Sequence, residues 1–118
     1  MAIPAGEEPR ARDFYGGVLG LTELPKPANL AARGGVWFAV GQRQLHLGVD
    51  VDFRPAGKAH PAFLVRDLTL LLEHCRRAGV RVVEDEPLAG FRHAYVSDPF
   101  GNRIELLQPL AGEPEPMG

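Results

Sequence analysis

The chain reads as one plan written twice. Gly20 and Gly79 stand 59 residues apart, and each closes a segment with helical spacing of apolar residues. Ahead of Gly20, Glu7–Leu19 carries two acids and Pro9 in its first turn, then Ala11, Phe14, Tyr15, Val18 and Leu19 on one face. Ahead of Gly79, Asp67 can cap a helix through Ala78, with Leu68, Leu71, Leu72, Cys75 and Ala78 at helical spacing. A glycine just past a helix supplies the left-handed stop that other residues adopt at a cost.

Strand patterns follow each helix in the same order. In the first copy they are a short run near Leu21–Leu24, then Val36–Val40 (VWFAV) and Arg43–Val49 (RQLHLGV). In the second they are Arg81–Glu84, Phe91–Ser97 (FRHAYVS) and Arg103–Gln108 (RIELLQ). Asp98-Pro99-Phe100-Gly101-Asn102 joins the last two as a tight hairpin turn, with Pro and Gly where such turns use them. His60–Val65 (HPAFLV) opens the second copy as a strand, whereas the first opens only with Met1–Pro4 (MAIP). The expectation is an α+β fold of two βαβββ modules, residues 1–50 and 60–108, in one domain spanning 1–110. Asp50–Ala59 is the polar linker between the modules, and residues 111–118 form a disordered tail.

Matching the apolar ends of the opening strands, Ile3 with Val65, places the partner of His60 about three residues upstream of Met1. The first strand is therefore read as truncated, with the natural start of the chain expected further upstream.

With 118 residues, 45% of them hydrophobic and 24% charged, the chain can build one ordinary soluble core. Its net charge of -2 gives no electrostatic basis for holding nucleic acid or an anionic membrane. No apolar run approaches the roughly 18 residues of a membrane span. The single cysteine, Cys75, cannot pair within the chain, which fits the cytoplasm, and its place on the apolar stripe of its helix marks it as core.

The polar residues on the strands carry the chemistry. Adding the repeat of 59 to His46 gives Glu105, and each lies between two large aliphatics, in Leu45-His46-Leu47 and Ile104-Glu105-Leu106. Alternation sends the aliphatics to one face and the polar residue to the other. A lone strand histidine is more often surface or core than a ligand, and Glu105 on an edge strand could simply face water. If the strands curl into a half-barrel, however, His46, His60 and Glu105 point into one concavity. Two imidazoles and a carboxylate suit a divalent metal ion such as zinc, iron, manganese or nickel. Trp37, Tyr95 and Arg103, with Phe91 and Arg33, are candidates to line the same pocket. His74 and His93, in polar surroundings (EHCRR, FRHAY), are read as exposed. No serine or cysteine lies in a nucleophile elbow, and no glycine loop is built to cradle phosphates.

Two stretches resemble a known family. Phe14-Tyr15 followed by Val18-Leu19-Gly20-Leu21, and Asp98-Pro99-Phe100-Gly101-Asn102 followed by Ile104-Glu105-Leu106, are similar to the signatures of the vicinal oxygen chelate superfamily. That superfamily includes glyoxalase I, bleomycin-resistance proteins and extradiol dioxygenases. The resemblance implies paired modules curled into a mostly antiparallel open barrel, in a homodimer. It implies metal ligands at His46, His60 and Glu105; the substrate-binding candidates Trp37, Tyr95 and Arg103 come from the residue pattern alone and are equally ordinary strand residues. Glu105 could also act as a catalytic base. The expected function is a divalent-metal-dependent enzyme on a small molecule with vicinal oxygens, as isomerase or lyase, thiol transferase or dioxygenase. Its rival is a metal-free protein that sequesters a drug, and the third reading is a fold that has lost activity.

Overall fold

The computed structural model describes residues 1–87 and 89–110. The chain divides at the predicted linker into two compact units, Met1–Pro55 and Ala56–Gly118. The predicted tail, 111–118, lies outside the described residues.

In the first unit the strands are β1 (Ala2–Ile3), β2 (Thr22–Leu24), β3 (Val36–Val40) and β4 (Arg43–Val49), in the sheet order β1-β4-β3-β2. The first contact is parallel and the other two antiparallel. Helix α1 (Glu8–Ala11) continues directly into a π-helical segment, Arg12–Val18. The expected single α-helix over 7–19 is thus wound more loosely in its second half. There the amide of Leu19 donates to the carbonyl of Phe14, five residues back, at 2.9 Å. Gly16 and Gly17 explain the tolerance, because adjacent glycines are weak α-formers. The wider turn still buries Phe14 and Tyr15, and the Tyr15 ring lies 5.8 Å from that of Phe38 on β3. One further turn of helix, α2 (Ala28–Ala31), follows Pro27 and was not anticipated.

The second unit repeats the plan with β5 (Ala62–Leu64), helix α3 (Leu68–Arg77), β6 (Val82–Glu84), β7 (Phe91–Ser97) and β8 (Arg103–Pro109), in the order β5-β8-β7-β6. Asp67 caps α3 as predicted, its side chain accepting from the Leu70 amide at 3.0 Å. Leu68, Leu72 and Cys75 on α3 are fully buried, as are Ala94, Val96, Ile104 and Leu106 on the even-numbered face of β7 and β8. The Gln108 side chain, on that same face, accepts from the Leu68 amide at the start of α3. The helix therefore covers the even face. The odd face carries His93, Tyr95, Ser97, Arg103 and Glu105.

Among the described residues the strands form two four-stranded sheets, one in each unit. The module correspondence goes down to the register. Ile3 pairs with Val49, and Leu64 with Leu107, so Ile3 occupies the place of Val65. Each sheet also sets an aromatic ring directly opposite a polar residue, Trp37 against His46 and Tyr95 against Glu105.

Candidate functional site

The hairpin of β7 and β8 is where the second unit gathers its ionisable groups. The turn that sets its register is held by Asp98, whose carboxylate accepts from the amides of Phe100 and Asn102 at 2.9 and 2.8 Å. Ser97 then faces Arg103 and Tyr95 faces Glu105, which leaves His93 diagonal to Glu105 on the same face. On the other side, β5 runs parallel to β8 with Ala62 beside Glu105. His60, two residues before Ala62, shares the face of Glu105.

Glu105 is 8% exposed and lies between two imidazoles. His60 Nε2 is 2.9 Å from its Oε1, and His93 Nδ1 is 3.1 Å from its Oε2. Both rings are anchored at their far nitrogens by main-chain carbonyls. His60 Nδ1 donates to the carbonyl of Lys58 at 2.7 Å, and His93 Nε2 to that of Glu86 at 2.5 Å. A carbonyl only accepts, so these contacts decide which ring nitrogen carries hydrogen. Arg103 Nη2 also approaches His60 Nδ1, at 3.4 Å, but the shorter contact to Lys58 determines the tautomer. The consequence is chemical. Each ring thereby turns its second nitrogen toward one oxygen of Glu105, where a proton or a metal cation can join the two partners.

That donor set fits a divalent cation in part. His60 Nε2 and Glu105 Oε1 are a nitrogen and an oxygen at the separation two ligands of one ion require. The backbone bond at the far nitrogen of His60 is the outer support such histidines use. Among the described residues, though, no three His, Cys, Asp or Glu side chains are grouped as a three-donor cage. The reason is visible in the contacts: the Glu105 carboxylate lies between the rings and gives one oxygen to each.

Of the other expected site residues, Tyr95 and Arg103 join this face. The His60 and Tyr95 rings meet edge to face at 5.5 Å, and the Arg103 guanidinium lies 5.1 Å from the Tyr95 centroid. His46 and Trp37 belong to the first unit, where their rings stack in parallel at 3.7 Å. His46 Nε2 is also 2.9 Å from the Gln44 side-chain oxygen. His93 is a correction. Expected at the surface from its polar neighbours, it is 3% exposed and holds Glu105, whereas His74 is exposed as expected. The signal was its place two residues from Tyr95, on the same face.

The sequence matches the family model of the Glyoxalase/Bleomycin resistance protein/Dioxygenase superfamily over residues 1–106. The chain belongs to this superfamily. Solved structures agree with the assignment. A Bacillus anthracis protein assigned to the glyoxalase family is 43% identical, with a TM-score of 0.88 over 92% of this chain and 89% of that one. An antibiotic binding protein from a Streptomyces species is 25% identical, with a TM-score of 0.73 over 93% of both chains. A lactoylglutathione lyase from Agrobacterium tumefaciens, 22% identical with a TM-score of 0.67, covers 92% and 90% and shares the fold. No curated protein matches the chain. Among the described residues no helix is long and apolar enough to cross a membrane.

Proposed function

We propose that this superfamily member is a divalent-metal-dependent enzyme acting on a small molecule with vicinal oxygens, with His60 and Glu105 as protein ligands. The observation that carries this reading is the 2.9 Å approach of His60 Nε2 to Glu105 Oε1, with His60 Nδ1 already committed to the Lys58 carbonyl. A bound ion of this kind polarises substrate oxygens and stabilises negative charge developing on them. The chain's own residues supply the rest. His60 is fixed in tautomer and orientation by Lys58, and His93 holds the second carboxylate oxygen of Glu105. Tyr95 and Arg103 wall the adjoining surface. Were it free of such an ion, Glu105 would serve as a base toward the bound substrate.

Metal analysis of the purified protein, before and after dialysis against zinc, iron(II), manganese or nickel, tests this directly. One ion per chain, lost in His60→Ala, is the expected result. A full-length folded protein that takes up no metal under any of these conditions overturns the proposal.

A second reading has its own observation. The exposed His46 ring, stacked on Trp37, forms part of a cleft of about 270 Å³ with Lys26, Arg33 and Gly48. Parallel aromatic surfaces suit flat ligands, and the 25%-identical Streptomyces protein is an antibiotic binder. Metal-free sequestration of a planar drug is that alternative, and tight drug binding by metal-free protein would favour it.

A further inference from the structure

Next to Glu105 on the odd face lies a cavity of about 260 Å³ lined by Arg81, Val83, Tyr95, Ser97 and Arg103. The register explains its composition. Ser97 pairs with Arg103 on one side, and its amide donates to the Arg81 carbonyl on the other. The three residues therefore form one row across the sheet, guanidinium, hydroxyl, guanidinium. The next row, one step of two residues along the strands, is Val83, Tyr95 and Glu105. Arg103 is held in place by its stack against Tyr95 and by Nη2 donating to the Lys58 carbonyl at 3.1 Å. A guanidinium carries five N–H donors, and these contacts engage only one of its amino groups.

We infer that this cavity binds a compact oxyanion, a carboxylate or phosphoryl group of the substrate, between Arg81 and Arg103 with Ser97 donating beneath it. Two planar cations at a small pocket match the charge and the forked geometry of such a group. Neighbouring rows on one face are separated by roughly 7 Å. An anion held over Ser97 thus sets the carbon one or two bonds away toward Glu105. The substrate class that follows is a small oxo- or hydroxy-acid, or its phosphoryl counterpart. The placement of its reacting carbon rests on the proposed function, whereas the anion site itself does not.

The test uses the full chain stripped of metal with a chelator, so that no ion can bind the probe. Pyruvate, inorganic phosphate and the neutral amide of pyruvate are titrated separately, with binding read by calorimetry and by amide and guanidinium NMR shifts. Saturable binding of pyruvate or phosphate, weakened by salt, is expected, with no binding of the amide. Pyruvate preferred over phosphate identifies a carboxylate substrate, and the reverse a phosphoryl one. Arg81→Gln and Arg103→Gln should each weaken binding by about tenfold or more, the loss of a charge-assisted contact. Arg81 is exposed, so its variant tests recognition without disturbing the core. Equal affinity in Arg81→Gln and the parent chain, equal binding of the amide, or no binding of either anion overturns the inference. The two proposals fail separately. Anion binding in a chain that never takes up metal leaves this site standing, and a metal-loaded chain indifferent to both anions leaves only the metal site.

Discussion

His93 Nδ1 stands 3.1 Å from Glu105 Oε2, reached diagonally across the β7–β8 hairpin, while the other nitrogen of the same ring bonds the carbonyl of Glu86. This one ring ties the acid to the main chain leading into β7. With His60 on the opposite oxygen, it sets the carboxylate plane from both sides.

Removing that ring leaves a buried carboxylate with one partner lost. His93→Ala should therefore destabilise the chain by about 2–4 kcal/mol, a buried polar contact plus the cavity it leaves. Adding Glu105→Gln to it should recover part of the loss, since the unmatched charge disappears. Urea denaturation of both variants and the parent measures this. A cost below about 0.5 kcal/mol for His93→Ala, the range of an ordinary surface change, would remove His93 from the account.

Glu8 predicts a pH effect in the first unit. The amide of Gly35 donates to its Oε2 at 2.9 Å and, with the Glu8 amide, holds its carboxyl below the ordinary value of 4.5. A depressed carboxyl contributes stability above its unfolded value and loses it as pH falls through the lower folded value. The stability gap between the parent and Glu8→Gln should be widest above pH 4.5 and should close on acidification below it. Denaturation midpoints across that window decide the matter. A gap that is flat with pH, or that widens in acid, would contradict the assignment.

Gly35 itself is under a stricter constraint. It sits at φ +85°, and a Cβ built there would come 2.3 Å from the Leu47 carbonyl oxygen. Gly35→Ala should cost at least about 2 kcal/mol, combining left-handed strain with a clash against backbone that cannot swing away. Gly57→Ala is the control, because nothing lies within 4 Å of its added carbon. Matched thermal melts showing equal Tm values for the two variants would refute the packing described here.

Cys75 is fully buried on α3, and desolvation raises its thiol pKa. Native protein should react with a thiol reagent only as fast as the chain opens, and denatured protein at once. Immediate stoichiometric labelling at neutral pH in the absence of denaturant would show α3 to be loosely held.

Most of the architecture was readable from side-chain periods alone. Val36–Val40, Arg43–Val49 and Phe91–Ser97 have the predicted bounds, because turn residues bracket each run: Gly34-Gly35, Gly41, Asp50, Gly90 and Asp98-Pro99. The offset of Ile3 from Val65 also emerged from matching apolar ends. The misses have local causes. Residues 12–18 show a helical face in either an α or a π winding, so apolar spacing cannot separate them. The turn at Ala28–Ala31 is too short for any period. His93 was misjudged by its sequence neighbours, when what decides its burial is the strand across the hairpin. With the Asp98–Asn102 turn pairing Ser97 with Arg103, counting back sets Tyr95 opposite Glu105 and His93 diagonal to it on the same face.

The parallel contact of β5 with β8 carries a consequence for how the chain comes to be. His60 and Glu105 are 45 residues apart, and nearly the whole second unit lies between them. Contacts that span so much chain are costly to close and form late. A nascent chain that has emerged only as far as β7 holds His60, Tyr95 and His93 but not the Glu105 that joins them. The ionisable centre therefore exists only once β8 has been added to the sheet beside β5.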